Sequence, residues 1–438
     1  MTFTARNLIL FSVAVLFACK GDDDGSPPRI VITSPSGNLP TYSYNDAFAV
    51  RFTATDNEGV ERWQVRLSDE SGMRRFSTDY FTVAGTPAST EQQITVVCDD
   101  VHWPSGDYTL AVFAADAAGN EGAAFQTIRY FEAPLERKGI AVLRAISGAS
   151  SVIDTLSASG TFSTAASLPG DYSGLLAGSF HGEWLAWSAG SANLLYLDPE
   201  AFATAGSTSF QNPLNAHYFH DVVFESGSRS YFVICFDGLI REFGKGGALR
   251  STIATGPNLI PKDLWADNTY VYASLQAVNS SDIGLFARYF RNSGAVNTTT
   301  AVAGTHFSIV PYDGTVLLIG TKPTGEGVVY LANPSTLSLS ELPWLAGDAG
   351  IRHAIELDNG DYALASAAGV AMYRFGTGQF IPASANGVNA MHLAYDPVGN
   401  AVYATTENTV FRINRSNGAV TASYPTSNAV ATAVLLNK

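Results

Sequence analysis

The sequence has few cysteines, few charged residues and no long hydrophobic run. Three cysteines among 438 residues cannot hold a protein of this size together through disulfides, so its stability must come from hydrophobic cores. Charged residues make up 15% of the chain, and 25 basic side chains face 39 acidic ones, for a formal charge of −14. Because binding of nucleic-acid phosphates needs a basic surface, nucleic acid is not expected as a partner.

The composition favours an all-β protein. Hydrophobic residues form 46% of the chain, which excludes global disorder and allows two or three domains with real cores. The 40 glycines and 19 prolines disfavour long helices, and the abundant valine, threonine and tyrosine prefer strands.

The N-terminus carries an export signal. Arg6 precedes an apolar run from Leu8 to Ala18, which is shorter than the roughly 20 helical residues needed to cross a bilayer. This pattern is typical of a signal peptide, here residues 1–18. The run ends in Leu16–Cys19 (LFAC), which resembles the bacterial lipobox. The resemblance implies that Cys19 is lipidated, and an ordinary secretory signal that contains a cysteine is the alternative.

A short acidic tether, residues 19–28, follows the signal. Three consecutive carboxylates, Asp22–Asp24, favour a flexible charged linker between a lipid and a folded domain. The run also resembles the acidic export signal found just after the lipidated cysteine of Bacteroidota surface lipoproteins. That resemblance implies an anchor in the outer membrane, with the protein on the cell surface and the membrane as its partner through the N-terminal lipid.

Residues 29–133 predict a β-sandwich. Short runs of alternating hydrophobicity suggest six or seven strands, the clearest at residues 29–33, 47–54, 60–67, 93–97, 108–115 and 125–131. The segments Thr55–Gly59 (TDNEG), Pro104–Tyr108 (PSGDY) and Ala115–Asn120 (ADAAGN) resemble those of bacterial Ig-like modules. This resemblance implies an Ig-like spacer, although Cys98 has no disulfide partner within it.

The loops of this module contain acidic residues that could bind calcium. In an Ig-type topology the loops after the second and sixth strands lie at one end, where Asp56, Glu58, Asp116 and Glu121 could converge on a hard cation. The alternative is that these residues simply stabilise turns through hydrogen bonds between side chain and backbone.

Residues 134–438 contain an internal repeat. The clearest unit, residues 389–421, consists of four predicted strands separated by turns. Similar units begin about every 40 to 46 residues, which is the spacing of four-stranded propeller blades. The other units begin just after Ser173, Leu214, Leu259, Gly304 and Gly350.

The two ends of this region complete one another. Residues 140–164 predict three strands without an innermost one, and residues 428–436 predict an innermost strand with nothing after it. Together they make a seventh blade, so the C-terminal strand would close the ring and remove its last free edge. The repeats resemble the YVTN type of seven-bladed propeller in Asn400–Ala404 and Thr409–Ile413. Propellers host many functions, so the resemblance implies a fold and not an activity.

Basic side chains recur in the predicted innermost strands. Alignment of these strands on the turns that follow them places one such residue at nearly the same position in successive blades: His220, Lys262, His306, His353 and His392. The start of an innermost strand leads in from the loop between blades. We therefore expect these side chains to surround one mouth of the central channel.

Three interpretations of this pattern remain open. Neighbouring imidazoles could bind a transition metal. Together with Arg352, Tyr218 and other aromatic residues, they could instead line a cleft that holds an organic ligand through stacking and hydrogen bonds. They could also be repeat residues that tie one blade to the next. No cofactor is identified by the sequence.

The expected function is ligand binding at a cell surface. The propeller would bind an extracellular small molecule or glycan, or a partner envelope protein. Some Bacteroidota surface lipoproteins with this propeller type pass nutrients to TonB-dependent transporters, which implies an outer-membrane transporter as a partner. The competing class is a metal-dependent polysaccharide lyase or hydrolase at the histidine-rich mouth. Paired catalytic carboxylates could come from Asp171, Asp221, Asp263 or Glu356, but the sequence gives no distances between them.

Overall fold

The structure is a computed structural model, which describes residues 25–70, 72–101, 103–147, 150–188, 190–212, 217–225, 229–280, 283–342, 350–358, 360–383 and 388–437. Within these ranges the chain forms strands, loops and two 3₁₀ turns, at Lys245–Gly247 and Phe375–Thr377, and no α-helix, which confirms the all-β prediction. None of these described residues lie in a helix long and apolar enough to cross a membrane. The chain divides into two compact units after Pro134.

The described part of the first unit forms two sheets. One has the strand order β1-β3-β7, and the other has the order β2-β9-β8-β4-β5, with β6 also paired to β4. The strands are β1 (Arg29–Ser34), β2 (Thr41–Ser43), β3 (Ala47–Thr55), β4 (Val60–Ser68), β5 (Arg74–Ser77), β6 (Phe81–Thr82), β7 (Ser89–Val97), β8 (Gly106–Asp116) and β9 (Glu121–Phe131).

One hydrophobic core joins these two sheets. Alternate residues of β3 from Phe48 to Ala54 are buried, as expected for a strand with one face on a core. The ring of Phe52 in β3 meets the ring of Trp63 in β4 edge to face, with 5.2 Å between the centroids. Cys98 lies in the same core as a free thiol. The first unit is therefore a two-layer β-sandwich.

The described part of the second unit forms seven four-stranded antiparallel sheets, which we number as blades 1 to 7. Blade 1 contains β10 (Glu136–Ser147), β11 (Ser150–Leu156), β12 (Phe162–Pro169) and β37 (Ala429–Asn437). Blades 2 to 4 contain β13 (Tyr172–Gly178), β14 (Glu183–Ser188), β15 (Asn193–Leu197) and β16 (Thr204–Ser209); β17 (Phe219–Glu225), β18 (Ser230–Cys235), β19 (Leu239–Phe243) and β20 (Leu249–Ala254); and β21 (Leu259–Ala266), β22 (Tyr270–Ala277), β23 (Ile283–Phe290) and β24 (Val296–Ala301). Blades 5 to 7 contain β25 (Thr305–Tyr312), β26 (Thr315–Thr321), β27 (Gly327–Ala332) and β28 (Leu339–Leu342); β29 (Ile351–Asp358), β30 (Asp361–Ser366), β31 (Gly369–Arg374) and β32 (Gln379–Pro382); and β33 (His392–Asp396), β34 (Ala401–Thr405), β35 (Thr409–Asn414) and β36 (Val420–Pro425).

Burial follows the position of each strand within its blade. The second strands β14, β18 and β34 are buried along their whole length, because a neighbouring blade covers each face. The outermost strands β16 and β36 alternate between exposed and partly buried residues. Cys235, the last residue of β18, is accordingly a free thiol in a core and not a surface nucleophile.

The C-terminal strand closes the ring. β37 pairs antiparallel with β10 from Glu136 opposite Asn437 to Arg144 opposite Ala429, and it becomes the innermost strand of blade 1. This arrangement confirms the predicted seven-bladed propeller with one shared blade. The innermost strands of all seven blades, β37, β13, β17, β21, β25, β29 and β33, lie beside one another in that circular order.

Polar contacts also tie neighbouring blades together. Arg291 of blade 4 lies 2.5 Å from a carboxylate oxygen of Glu242 in blade 3. At the closure, the hydroxyls of Thr405 in blade 7 and Thr432 in β37 share a hydrogen bond of 2.6 Å, and both residues are fully buried. This bond links β37 to blade 7, whereas its strand pairing with β10 links it to blade 1.

We predict that Thr432→Val destabilises the propeller by about 1 to 3 kcal/mol, because it leaves the buried hydroxyl of Thr405 without a partner. The double variant Thr405→Val/Thr432→Val should recover most of this loss, since both hydroxyls are then replaced by methyl groups of similar size. Denaturant unfolding of the single and double variants measures the coupling. Additive losses in the double variant would show that this contact does not stabilise the closure.

Candidate functional site

Three basic side chains lie at β-bulges near the start of innermost strands. The pairing register shifts between Phe219 and Asp221 in β17, between Pro261 and Asp263 in β21, and between Ile351 and His353 in β29. The residues left without a cross-strand partner are His220, Lys262 and Arg352. Because a bulge redirects the side chain of its extra residue, these bulges can aim basic groups away from the blade cores.

The aligned basic residues therefore fall into two sets. His353 and His392 occupy paired positions in β29 and β33, as Asp221 does in β17. His220 and Lys262 occupy the bulge that comes one residue earlier. A bulge inserts one extra residue that has no cross-strand partner. The hydrophobic pattern of the sequence does not show this insertion, so it cannot distinguish the bulge residue from the paired residue that follows it.

Two cavities with shared lining residues lie at the innermost strands of the ring. One, of about 480 Å³, we call the central channel, because it is lined by residues of all seven innermost strands. The other, of about 540 Å³, we call the mouth pocket. Its lining is largely polar and consists of His220, Asp221, Lys262, Asp263, Gln276, Thr305, Phe307, Ser308, Arg352 and His353. Asp221, Asp263 and His353 border both cavities.

The side chains of Lys262 and His220 contact each other at the mouth. The ammonium Nζ of Lys262 lies 3.3 Å from Nε2 of His220, and the imidazole stacks on Phe236 with 5.2 Å between ring centroids. Burial, followed by the positive charges of Lys262 and His217, lowers the pKa of His220 to about 4. His220 is therefore neutral at pH 7, and its ring can accept a hydrogen bond from the lysine.

Arg352 is the exposed cation of the mouth pocket. Its Nη1 donates a hydrogen bond to Oδ1 of Asn389, which orients the guanidinium. Within the part of the chain that the structure describes, neither Arg352 nor Lys262 forms an ion pair with a carboxylate. The planar donor set of an arginine suits bidentate recognition of an oxyanion, whereas a lysine supplies a point charge.

Two carboxyl groups occupy the position after the bulge in neighbouring blades. Asp221 accepts a hydrogen bond from its neighbour Val222 at 2.7 Å, and Asp263 accepts from Leu264 at 2.7 Å and from Ile309 of blade 5 at 3.1 Å. Burial raises the pKa of Asp221 to about 6. Burial and the charge of Asp221 raise the pKa of Asp263 well above its usual value. Both carboxyl groups therefore keep their protons to a higher pH than ordinary aspartates do.

Post-bulge side chains also satisfy backbone groups that face the channel. Ser308 in β25 accepts a hydrogen bond of 2.9 Å from the N–H of Ala354 in the next blade, as Asp263 does from Ile309. These N–H groups lie on the free inner edge of a sheet and have no strand partner there. The tie between blades that the sequence suggested for histidines is thus made by Asp263 and Ser308.

Two histidine rings stack on one another in the channel wall. The rings of His353 and His392 are 5.5 Å apart and inclined by 26°, and the Nδ1 atom of each has no hydrogen-bond partner among the residues that the structure describes. Burial lowers the pKa of His353 to about 4, and burial with the charge of His353 lowers that of His392 to about 3. Both are neutral at pH 7 and could accept hydrogen bonds or coordinate a metal. The described residues contain no group of three or more His, Cys, Asp or Glu side chains placed to hold one metal ion.

The structure thus brings four of the seven ligand-binding candidates, His220, Lys262, Arg352 and His353, to the mouth pocket. His392 lines the central channel and not the mouth pocket. Tyr218 does not reach the mouth: its ring is buried in the core between blades, and its hydroxyl donates to Asp237 at 2.7 Å.

Other sequence candidates lie elsewhere. The backbone of His306 belongs to β25, but its side chain lies outside the described residues, as does Cys19. Sequence reasoning missed Gln276, Thr305 and Ser308, which line the mouth pocket. Gln276 is the penultimate residue of β22, and only the pairing of β22 with β21 brings it to the mouth.

The acidic loops of the β-sandwich behave as turns. Asp116 accepts hydrogen bonds from the backbone N–H and the side-chain amide of Asn120, each at 2.8 Å. Asp56 accepts from the N–H of Glu58 at 2.8 Å, and Glu121 accepts from the hydroxyl of Tyr80 at 2.9 Å. These bonds match the turn interpretation of the sequence.

No protein-family model matches the chain, and no curated protein sequence matches it. Among solved structures, apo AztD from Citrobacter koseri is 10% identical with a TM-score of 0.47, over 67% of this chain and 83% of that one. The WD40 repeats of RRP9 are 10% identical with a TM-score of 0.49, over 68% of this chain and 89% of that one. Neither likeness bears on ligand or activity, and the propeller assignment depends on the strand pairing described above.

We predict that Asp221→Asn stabilises the protein in a pH-dependent way. A carboxyl whose pKa rises to about 6 on folding contributes stability that is full below its unfolded pKa of about 4 and is lost as the pH rises through 6. Asparagine keeps the acceptor for Val222 and cannot ionise. The free energy of unfolding of the variant, relative to that of the unmodified chain, should rise by about 1 to 3 kcal/mol from pH 4 to pH 8. Denaturant unfolding at both pH values measures this change.

The matched control is Asp198→Asn in the turn after β15. Hydrogen bonds from the N–H groups of Ala201 and Glu200 lower the pKa of Asp198, so its contribution is present at neutral pH and is lost in acid. This variant should therefore lose stability at pH 8 relative to pH 3. The same pH response in both variants would contradict a raised pKa at Asp221.

Proposed function

We propose that this protein is a surface-exposed lipoprotein of the outer membrane whose propeller binds an extracellular small molecule or glycan at the mouth pocket. The observation that carries the proposal is the pocket itself. A cavity of about 540 Å³ has the size of a small-ligand site, and its polar side chains converge from blades 3 to 6.

The lining of the pocket is suited to an organic ligand with polar groups. Lys262 and Arg352 donate hydrogen bonds, while Gln276 and Thr305 can both donate and accept them. Phe307 also borders the pocket, although its ring is buried in the core between blades 4 and 5. A few convergent polar groups in a concave site are typical of ligand pockets.

The proposed cellular location comes from the sequence. The lipobox-like Leu16–Cys19 and the acidic run Asp22–Asp24 support a lipid anchor and export to the cell surface. In this proposal the β-sandwich is an Ig-like spacer that holds a YVTN-type propeller away from the membrane. A TonB-dependent transporter is the partner that such a protein would supply with captured ligand.

One observation favours a second function, a metal-dependent polysaccharide lyase or hydrolase. The unpartnered Nδ1 atoms of His353 and His392 are chemically suited to bind a transition metal. Elemental analysis of the purified protein and release of unsaturated or reducing sugar ends from polysaccharides test this alternative.

We predict that Gln276→Trp blocks ligand binding, because the larger side chain would fill the mouth pocket. An array of neutral and acidic oligosaccharides, followed by titration calorimetry of the ligands it identifies, should show at least a tenfold loss of affinity. The matched control is Gln379→Trp on the outermost strand β32, which should bind as the unmodified chain does. No saturable binding by the unmodified chain, or equal binding by Gln276→Trp, would contradict this assignment.

We predict that Cys19→Ala abolishes lipidation, because the thioether to the lipid needs the cysteine sulfur. Metabolic labelling with palmitate in a bacterial host measures the change. The matched variant with Asp22, Asp23 and Asp24 replaced by Asn should keep the label and lose accessibility to protease on intact cells. Labelling of Cys19→Ala would disprove the lipobox, and unchanged protease accessibility of the Asn variant would disprove the acidic export signal.

A further inference from the structure

The mouth pocket contains two cations, Lys262 and Arg352, that form no ion pair with any carboxylate of the described residues. Several arginines of the propeller form close ion pairs with carboxylates, such as Arg137 with Asp396 at 2.6 Å and Arg241 with Asp237 at 2.7 Å. By contrast, Lys262 contacts a neutral imidazole and Arg352 contacts an amide oxygen. The chain has only 25 basic residues against 39 acidic ones. Two of these basic side chains nevertheless lie in one cavity, where they form no ion pair with a described carboxylate.

The carboxyl groups of the same pocket form no ion pair with these cations among the described residues. Asp221 and Asp263 direct oxygen atoms at backbone N–H groups of the channel edge, and burial raises the pKa of both. His220 and His353 are neutral at pH 7, so Lys262 and Arg352 supply the positive charge of the described lining. Such a charge in a partly enclosed cavity attracts anions more strongly than the same charge on an open surface.

We infer that the mouth pocket selects an anionic ligand, one whose carboxylate, phosphate or sulfate group lies between Lys262 and Arg352. This inference rests on the proposed binding function and specifies the chemical class of its ligand. Arg352 can present two parallel N–H donors to the oxyanion, and Lys262 adds a charge that its contact with His220 holds in place. Thr305 and the amide oxygen of Gln276 line the same pocket and can contact the uncharged part of the ligand.

The position of the cations on bulges supports this assignment. A bulge redirects the side chain of its extra residue. The bulges in β21 and β29 place Lys262 and Arg352 at the cavity, in two blades that are separated by blade 5. A ligand between them would therefore span an arc of the mouth, beside Thr305 of blade 5.

Titration calorimetry of the full mature chain tests the inference with four probes: a galacturonic acid trisaccharide, a neutral galactose trisaccharide, inorganic phosphate and inorganic sulfate. The charged sugar or one of the inorganic ions should bind at least tenfold more tightly than the neutral sugar, and the affinity should fall as salt is raised. The uronate arm and the inorganic arms distinguish an acidic glycan from a free oxyanion as the source of the charge.

The variants Lys262→Met and Arg352→Met should each weaken binding of the preferred anion at least tenfold, since charged hydrogen bonds are lost. The matched control is Lys245→Met in the exposed 3₁₀ turn of blade 3, outside the mouth pocket, which should leave the affinity unchanged. Circular dichroism confirms that each variant is folded.

Three results would overturn the inference. In the first, both trisaccharides bind equally and Gln276→Trp blocks both, which preserves ligand binding at the mouth but removes the preference for anions. In the second, no anionic probe binds the unmodified chain. In the third, Lys262→Met and Lys245→Met weaken anion binding to the same extent, which shows a general effect of charge and not a site.

Discussion

The closure of the ring is the constraint on which the rest of the propeller depends. Each blade is an antiparallel sheet with hydrophobic faces, and each needs a neighbour on both sides to bury them. The pairing of β37 with β10 supplies the last of these neighbours, because it adds the innermost strand that blade 1 would otherwise lack. Without it, the cores on both sides of blade 1 would be open to water. The first and last strands of the propeller therefore hold the ring together through their pairing.

Closure creates the channel, and the channel creates the site. Seven innermost strands present their free edges to one axis, so backbone N–H groups must be satisfied there without a further strand. Asp263 and Ser308 accept such bonds from the next blade. The bulges of β17, β21 and β29 project His220, Lys262 and Arg352 at the mouth. In β21 the bulge comes directly before Asp263. Structural and ligand-facing roles are thus divided between adjacent residues of the same strands.

The repeat period in the sequence was sufficient to predict the architecture, because four strands separated by turns recur at a spacing that only a few folds share. It was also sufficient to predict the shared blade, since the two ends of the repeat region are complementary. The bulges were not predictable, because an extra unpaired residue changes the direction of a side chain without changing the hydrophobic pattern. His220 and His353 therefore looked equivalent although they are one residue apart in register. Tyr218 was assigned to the mouth because the neighbouring histidine is there, whereas its own side chain points into a core.

The distribution of side chains among the bulges distinguishes a site from a repeat. If the bulge residues served only to join blades, each blade would need the same kind of residue, because every junction has the same geometry. Instead, the bulge holds Ser173 in blade 2, His220 in blade 3, Lys262 in blade 4 and Arg352 in blade 6. The backbone irregularity is repeated while the chemistry changes from one blade to the next. An asymmetric set of side chains on a symmetric scaffold can recognise a ligand that has no symmetry of its own, and here the positive charge of that set lies on one side of the ring.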